Sequence, residues 1–317
     1  VPQPSRLPAA AVKGDRIGVI TVSAPEPHQH PDTYVQGIEV LRGRGFEIVE
    51  APGARGAHGY RAGDEKQLLA DLYTMLENPT VAAVVCAGGG WNANRLLRHL
   101  DAARIAANPK PIVGVSDPTL LLNAITARTG IPTFHGPAVI WDLGNPDAPA
   151  HTADHFLSVL AGRPEAARID APLAWLRPGR ARGHLVAGCL SSLHSLLGTR
   201  WEPDWDGAIF AWEDAFKSVE ILDQVLTHFR DCGVLDRIAG MVVGEPVAVE
   251  PSGGWGLMEM VADVCDGYAF PIATGLPFGH TPTKWTLPIG ATVRIDAEAQ
   301  VPMLIESPWV TPAPSNA

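Results

Sequence analysis

Short apolar runs alternate with amphipathic stretches over the first 130 residues. Segment 16–23 (RIGVITVS) reads as a buried strand and Pro31–Gly43 as the helix that follows it. Segment 46–50 is a second strand. Within 64–76 the apolar side chains Leu68, Leu69, Leu72 and Leu76 recur at the spacing that puts them on one helix face. Val81–Cys86 (VAAVVC) is apolar throughout, as a strand covered on both faces of a parallel sheet must be. Segment 94–100 reads as helical, 111–115 (PIVGV) as a strand, and 119–129 as a helix closed by Gly130. This alternation predicts right-handed βαβ units in a doubly wound sheet.

From Trp141 the texture changes. WDLGNPDAPAHTADHF is rich in turn residues, and PEAARIDAPLAWLRPGRAR is rich in Pro, Arg and Ala, so 141–178 reads as a linker with one short helix near 152–160. An apolar stretch at 186–197 follows, then strands at 208–212, 238–243 and 291–296 and helices at 219–232 and 257–265. The expectation is an α/β protein. An N-terminal doubly wound parallel-sheet domain (1–140) precedes the linker, and a smaller C-terminal α/β domain (179–317) follows it. Neither an internal repeat nor a low-complexity tract is visible, and the Pro- and Ser-containing tail 311–317 is expected to fray.

Composition narrows the class. A chain of 317 residues suggests two domains at ~100–200 residues each. With 46% hydrophobic and 18% charged residues it can build a large core, which excludes global disorder. Thirty-four acidic against 24 basic residues give a net charge of −10, which argues against nucleic acid or an anionic membrane as a partner. No apolar run approaches the ~20 residues of a membrane helix, and 1–15 lacks a signal pattern, so a cytoplasmic location is expected. Cys86, Cys189, Cys232 and Cys265 are too scattered for a zinc site or a disulfide framework and read as buried thiols. The pairs His28/His30 and His151/His155 lack a third ligand nearby, so no metal is expected.

Four segments carry candidate chemistry. In Gly114-Val115-Ser116-Asp117 a strand ends at a serine and a helix starts at once, with Pro118 in its first turn. That context suits a nucleophile elbow, although the sequence is not G-x-S-x-G. Taken alone, Ser116 or Asp117 as an N-cap is the simpler reading. Gly88-Gly89-Gly90-Trp91-Asn92 follows a strand, where glycines free backbone N–H groups for an anion or oxyanion. It lacks the dinucleotide fingerprint, and Cys86 as an alternative nucleophile sits in too apolar a run. Glu213 ends an apolar strand, and His280 lies in a Gly/Pro-rich loop. Each of these has an ordinary explanation by itself, as a cap or a solvated side chain.

Together, the segments resemble the LD-carboxypeptidase family of serine peptidases. The likeness runs in order through VKGDRIGVITVSAP, AGGGWNANRLLRHLD, PKPIVGVSDPTLLLNAI, GIPTFHGPAV, GHLVAGCLSSLHSLLGT, IFAWEDA and LPFGHTPTKWTLPIGATVRID. It implies Ser116 as nucleophile, His280 as general base and Glu213 as the group orienting the imidazole. It also implies an oxyanion hole from the backbone N–H groups of Gly89, Gly90 and Asp117, no cofactor, and a homodimer. The implied substrate is a small peptide or an aminoacyl-nucleotide. GGWNAN and GHTPTKWTLPIG are similar to the branch of microcin C immunity proteins. The short linker is more like murein-recycling enzymes, and the family's common GGN is Ala187-Gly188-Cys189 here. The expected reaction is therefore amide hydrolysis in immunity-like detoxification, with murein tetrapeptide cleavage or non-catalytic nucleotide binding as alternatives. Trp91, Asn92, Trp212 and Trp285 are the candidate substrate-binding residues, although core packing is the ordinary place for a tryptophan.

Overall fold

The apolar run Val81–Cys86 forms the centre of a six-stranded sheet, with Val84 and Val85 wholly buried. The computed structural model describes residues 6–311. The first sheet contains β1 (Arg16–Ile20), β2 (Glu47–Glu50), β3 (Val81–Cys86), β4 (Ile112–Gly114) and β5 (Thr133–His135) in the order β2-β1-β3-β4-β5, all parallel. A sixth strand, Leu287–Ile289, lies antiparallel on β5. It comes from the last tenth of the chain, so the C-terminal half supplies the outer strand of the N-terminal sheet.

The helices form where the periodicity places them. Pro31–Gly43 buries Tyr34, Ile38 and Leu41 on one stripe. Glu65–Glu77 starts at Asp64, whose carboxylate accepts the Gln67 N–H at 2.8 Å, the N-cap bond that satisfies a free helix donor. Pro118–Thr129 is different, because every residue from Pro118 to Thr126 is buried. It lies between the two sheets, and Asn123 Nδ2 donates to the Ala187 carbonyl of the second sheet at 3.0 Å. Segment 94–100 is a 3₁₀ stretch, Ala93–His99, rather than a regular helix.

The second sheet has eight strands. Its parallel centre is Arg180–Cys189, Ile209–Glu213, Gly240–Gly244 and Ile272–Leu276. Thr292–Asp296, Met303–Ile305 and Arg168–Ile169 extend it antiparallel on one side, and Ala174–Arg177 on the other. Two of these strands lie in the stretch read as linker. They are two and four residues long, too short to show alternation in the sequence. The helix there is Ala150–Leu160. At the tail, the Thr311 N–H donates to the Pro8 carbonyl at 2.8 Å, and the rest of that segment lies outside the described residues. Cys86, Cys189 and Cys265 are buried. Cys232 is exposed, contrary to expectation, because it follows the outward end of Val219–Asp231.

Candidate active site

Ser116 stands between β4 and the helix Pro118–Thr129 with φ at 63°, a left-handed conformation that costs a non-glycine residue about 1–2 kcal/mol. A simple cap would not hold such strain. Asp117 makes no side-chain cap bond to the helix. Its buried carboxylate instead reaches the glycine turn, where Oδ2 accepts the Asn92 N–H at 2.6 Å, the Ala93 N–H at 2.8 Å and the Ser23 hydroxyl. The N-cap reading therefore fails for Asp117, whose side chain ties the serine turn to the turn after β3. A Cβ on Gly89 would lie 3.0 Å from Ser116 Cβ and 3.1 Å from its Oγ, so a side chain there would crowd the hydroxyl and push the serine aside by a few tenths of an ångström.

Glu213 ends the buried strand Ile209–Glu213, and His280 sits in the loop after Ile272–Leu276. His280 Nδ1 is 2.7 Å from Glu213 Oε2, which also receives the His280 backbone N–H at 3.3 Å. The loop packs tightly on the carboxylate. At Gly279 (φ 83°) a Cβ would come within 2.0 Å of Glu213 Cδ, so conformation and space both require glycine. Burial alone would raise the Glu213 carboxyl, but the adjoining imidazoles outweigh it and hold the group well below the usual carboxylate range. For His280 burial disfavours the charged ring, and the Glu213 carboxylate reverses this to raise its pKa above the ordinary value. With Nδ1 on Glu213, the ring's Nε2 is the nitrogen left for other work. No hydrogen bond joins Ser116 Oγ to His280 in this conformation.

Ser116, Gly89, Gly90, Trp91 and His280 line one cavity of about 550 Å³ between the two sheets. The other candidates are distributed differently. Trp91 is 72% exposed, with the Lys217 ammonium 4.6 Å from its ring centroid. Trp212 is wholly buried and does not reach the cavity, because it points into the sheet core from the strand of Glu213. Trp285 is also buried and packs edge-on against His151 and His155, with ring centroids 4.7 and 4.5 Å away. Asn92 takes part through its backbone, in the bond to Asp117, and its side chain is not among the cavity's lining groups. Gly89 also departs from expectation as an oxyanion donor, since its N–H donates to Glu26 Oε2 at 2.8 Å. The N–H groups of Gly90 and Asp117 have no acceptor among the described residues. Cys86 ends β3 inside the sheet, where burial pushes its thiol up to about 12.

Several cavity residues escaped the sequence reading. Trp141 and Phe216 add exposed rings, and Phe216 is itself strained at φ 57°. Lys217 pairs with buried Asp214 at 2.8 Å. Lys284 and Asp142 form a buried ion pair that joins the His280 loop to the start of the linker stretch. A bulky aromatic next to a charge in WEDAFK was the available signal for Phe216 and Lys217. Nothing in the sequence marks Asp142 as the partner of a lysine 142 residues away.

Two family models match, the LD-carboxypeptidase N-terminal domain over residues 17–136 and the LD-carboxypeptidase C-terminal domain over 182–295. The chain is 29% identical to the microcin C7 self-immunity protein MccF of Escherichia coli, over 92% of this chain and 93% of that protein. It is 33% identical to a probable murein peptide carboxypeptidase of Bacillus subtilis (strain 168), over 91% of each. The solved structure of MccF in complex with glutamyl sulfamoyl guanosine superposes with a TM-score of 0.91 at 27% identity, covering 96% of this chain and 99% of that one. Both family models fall on the segments that carry Ser116 and the Glu213–His280 pair, and the relatives are matched nearly end to end. The chain belongs to the LD-carboxypeptidase family of serine peptidases.

Proposed function

We propose that Ser116, His280 and Glu213 act as nucleophile, general base and orienting carboxylate in the hydrolysis of an amide bond in a small substrate. The observation that carries this reading is a strained serine at a strand–helix turn that shares one cavity with a carboxylate-bound imidazole. His280 Nε2 takes the hydroxyl proton as Ser116 Oγ attacks the carbonyl carbon, and returns it to the leaving amine as the C–N bond breaks. Water, deprotonated by the same nitrogen, then releases the acyl group from the serine. Glu213 keeps the proton on Nδ1 and stabilises the imidazolium. The developing oxyanion falls to the N–H groups of Asp117 and Gly90. A loop movement that brings His280 Nε2 to the serine accompanies substrate binding.

The substrate we favour is an aminoacyl-nucleotide or a related peptide antibiotic. Identity does not separate the branches, at 29% and 33%. What supports the nucleotide reading is the cavity mouth, where Trp91, Trp141 and Phe216 offer flat faces at the rim. Trp141 stands at the start of the short linker stretch, where a stacking group was not expected. Stacking on such a face contributes about 1–3 kcal/mol per base. Measuring kcat/KM side by side on an aspartyl-adenylate amide analogue and on an L,D-linked muropeptide tests the assignment. The nucleotide should be preferred, and Trp91→Ala should cost it about tenfold while sparing the muropeptide. Preference for the muropeptide, unaffected by Trp91→Ala, leaves murein cleavage as the function. A cytoplasmic homodimer belongs to the same proposal, with sedimentation velocity as its check. No helix among the described residues is long and apolar enough to cross a membrane.

A further inference from the structure

Behind the His280–Glu213 pair stands a second imidazole. His135 ends β5 and is wholly buried, as is the Glu213 side chain it faces. His135 Nε2 lies 3.7 Å from Glu213 Oε1, too far for a hydrogen bond and too near for indifference. Both groups lack any other outlet. Glu213 Oε1 and both ring nitrogens of His135 are buried without a hydrogen-bond partner among the described residues. Oε2, by contrast, is fully engaged by His280. Phe278 meets the His135 ring edge-on at 5.3 Å and 70°, which limits where that ring can turn.

We infer that His135 is a positioning residue for the reaction, donating Nε2–H to Glu213 Oε1 so that the carboxylate keeps Oε2 on His280. The inference rests on the assignment of Glu213 and His280 above. A carboxylate held at one oxygen can rotate about its last bond, whereas one held at both has a single orientation. Closing 3.7 Å to about 3 Å takes only a small side-chain shift and pairs two otherwise orphaned polar atoms. The bond also draws charge away from Oε2. Without it, Glu213 holds the His280 proton more tightly, and the acid limb of activity moves to higher pH. Lys284 and Asp214 also act on His280, and Lys217 pairs with Asp214. All three stay unchanged in the variants, so the shift reads the loss at residue 135 alone.

Three substitutions separate the roles. His135→Phe keeps the ring without a donor, His135→Gln places an amide nitrogen where Nε2 was, and His135→Asn places it where Nδ1 was. For the substrate the wild type cleaves, His135→Phe should lower kcat about tenfold with KM little changed, and move the acid limb of kcat/KM up by about half a pH unit. His135→Gln should restore most of both, and His135→Asn should not. An NMR titration of histidine-labelled protein reads the His280 shift without any substrate. Should His135→Phe fail to fold, the Gln and Asn variants carry the comparison. Wild-type kcat and pH profile in His135→Phe, or equal behaviour of Gln and Asn, overturns the inference. Glu213→Gln and His280→Ala run alongside as controls. If those retain activity the triad assignment fails, whereas if they are inactive and His135→Phe is normal only this inference fails.

Discussion

The strained backbone of Ser116 makes separate predictions for activity and for stability. Ser116→Ala should abolish amide hydrolysis, since losing a triad nucleophile removes several orders of magnitude in turnover, and a residual rate above about a tenth of wild type contradicts the assignment. Ser116→Gly should be equally inactive yet more stable than Ser116→Ala by about 1 kcal/mol in urea unfolding, because only glycine adopts φ 63° without penalty. Equal stabilities would show that the turn carries no strain. The pH dependence follows from His280. As the proposed base it must be without its second proton, so activity is expected above its pKa and lost as pH falls through it. Glu213 raises that pKa, so the acid limb of kcat/KM should be centred above the ordinary histidine value of about 6.5. A flat profile from about pH 5 to 8 would count against a histidine base. The sequence named these three residues through the family resemblance that their segments carry together, since each alone has an ordinary explanation. It could not name His135, since what singles that residue out is a buried carboxylate oxygen from another sheet.

At the scale of elements, the site is a junction between strand ends. β3 runs out into the glycine turn and β4 into Ser116 two residues beyond its end, while β5 ends in His135 and Ile209–Glu213 in Glu213. Asp117 welds the first two, taking two backbone N–H groups and a hydroxyl on one oxygen. Asp117→Ala should leave those buried donors unmet and cost about 1–3 kcal/mol of stability. It should also lower kcat by releasing the glycine turn, and a variant with unchanged unfolding midpoint and kcat would refute this tether. Long periodic elements were legible in the sequence, with Pro31–Gly43 and Val81–Cys86 matching their predicted bounds. The short strands β5 and Ala174–Arg177 were not, because so few positions cannot display a period and neither lies in an apolar run like the PIVGV that holds β4.

Across the whole molecule, the two sheets are interlocked rather than strung together. Leu287–Ile289 returns from the second half to pair with β5, and Pro118–Thr129 is buried between both sheets. Trp309 Nε1 donates to the Val159 carbonyl at 2.8 Å, and Ala10 pairs with Thr311. Unfolding in urea should therefore be a single transition, with tryptophan fluorescence from buried Trp205 and Trp212 coinciding with far-UV circular dichroism. Two resolved midpoints would show that the halves are independent.

The sequence by itself determined the α/β alternation, the family resemblance and the three residues of the proposed triad, since each is written in contiguous residues. Periodicity, a strand running into Ser116 and a glycine turn after Cys86 are local facts. What only the tertiary structure decided is which groups meet. It sent Trp212 and Trp285 to the interior, brought Trp141 and Phe216 to the cavity, gave the Gly89 N–H to Glu26, and paired Lys284 with Asp142. Those outcomes depend on how strands far apart in the chain align side by side. A one-residue change of register sends a side chain to the opposite face, and no stretch of sequence read alone contains that alignment.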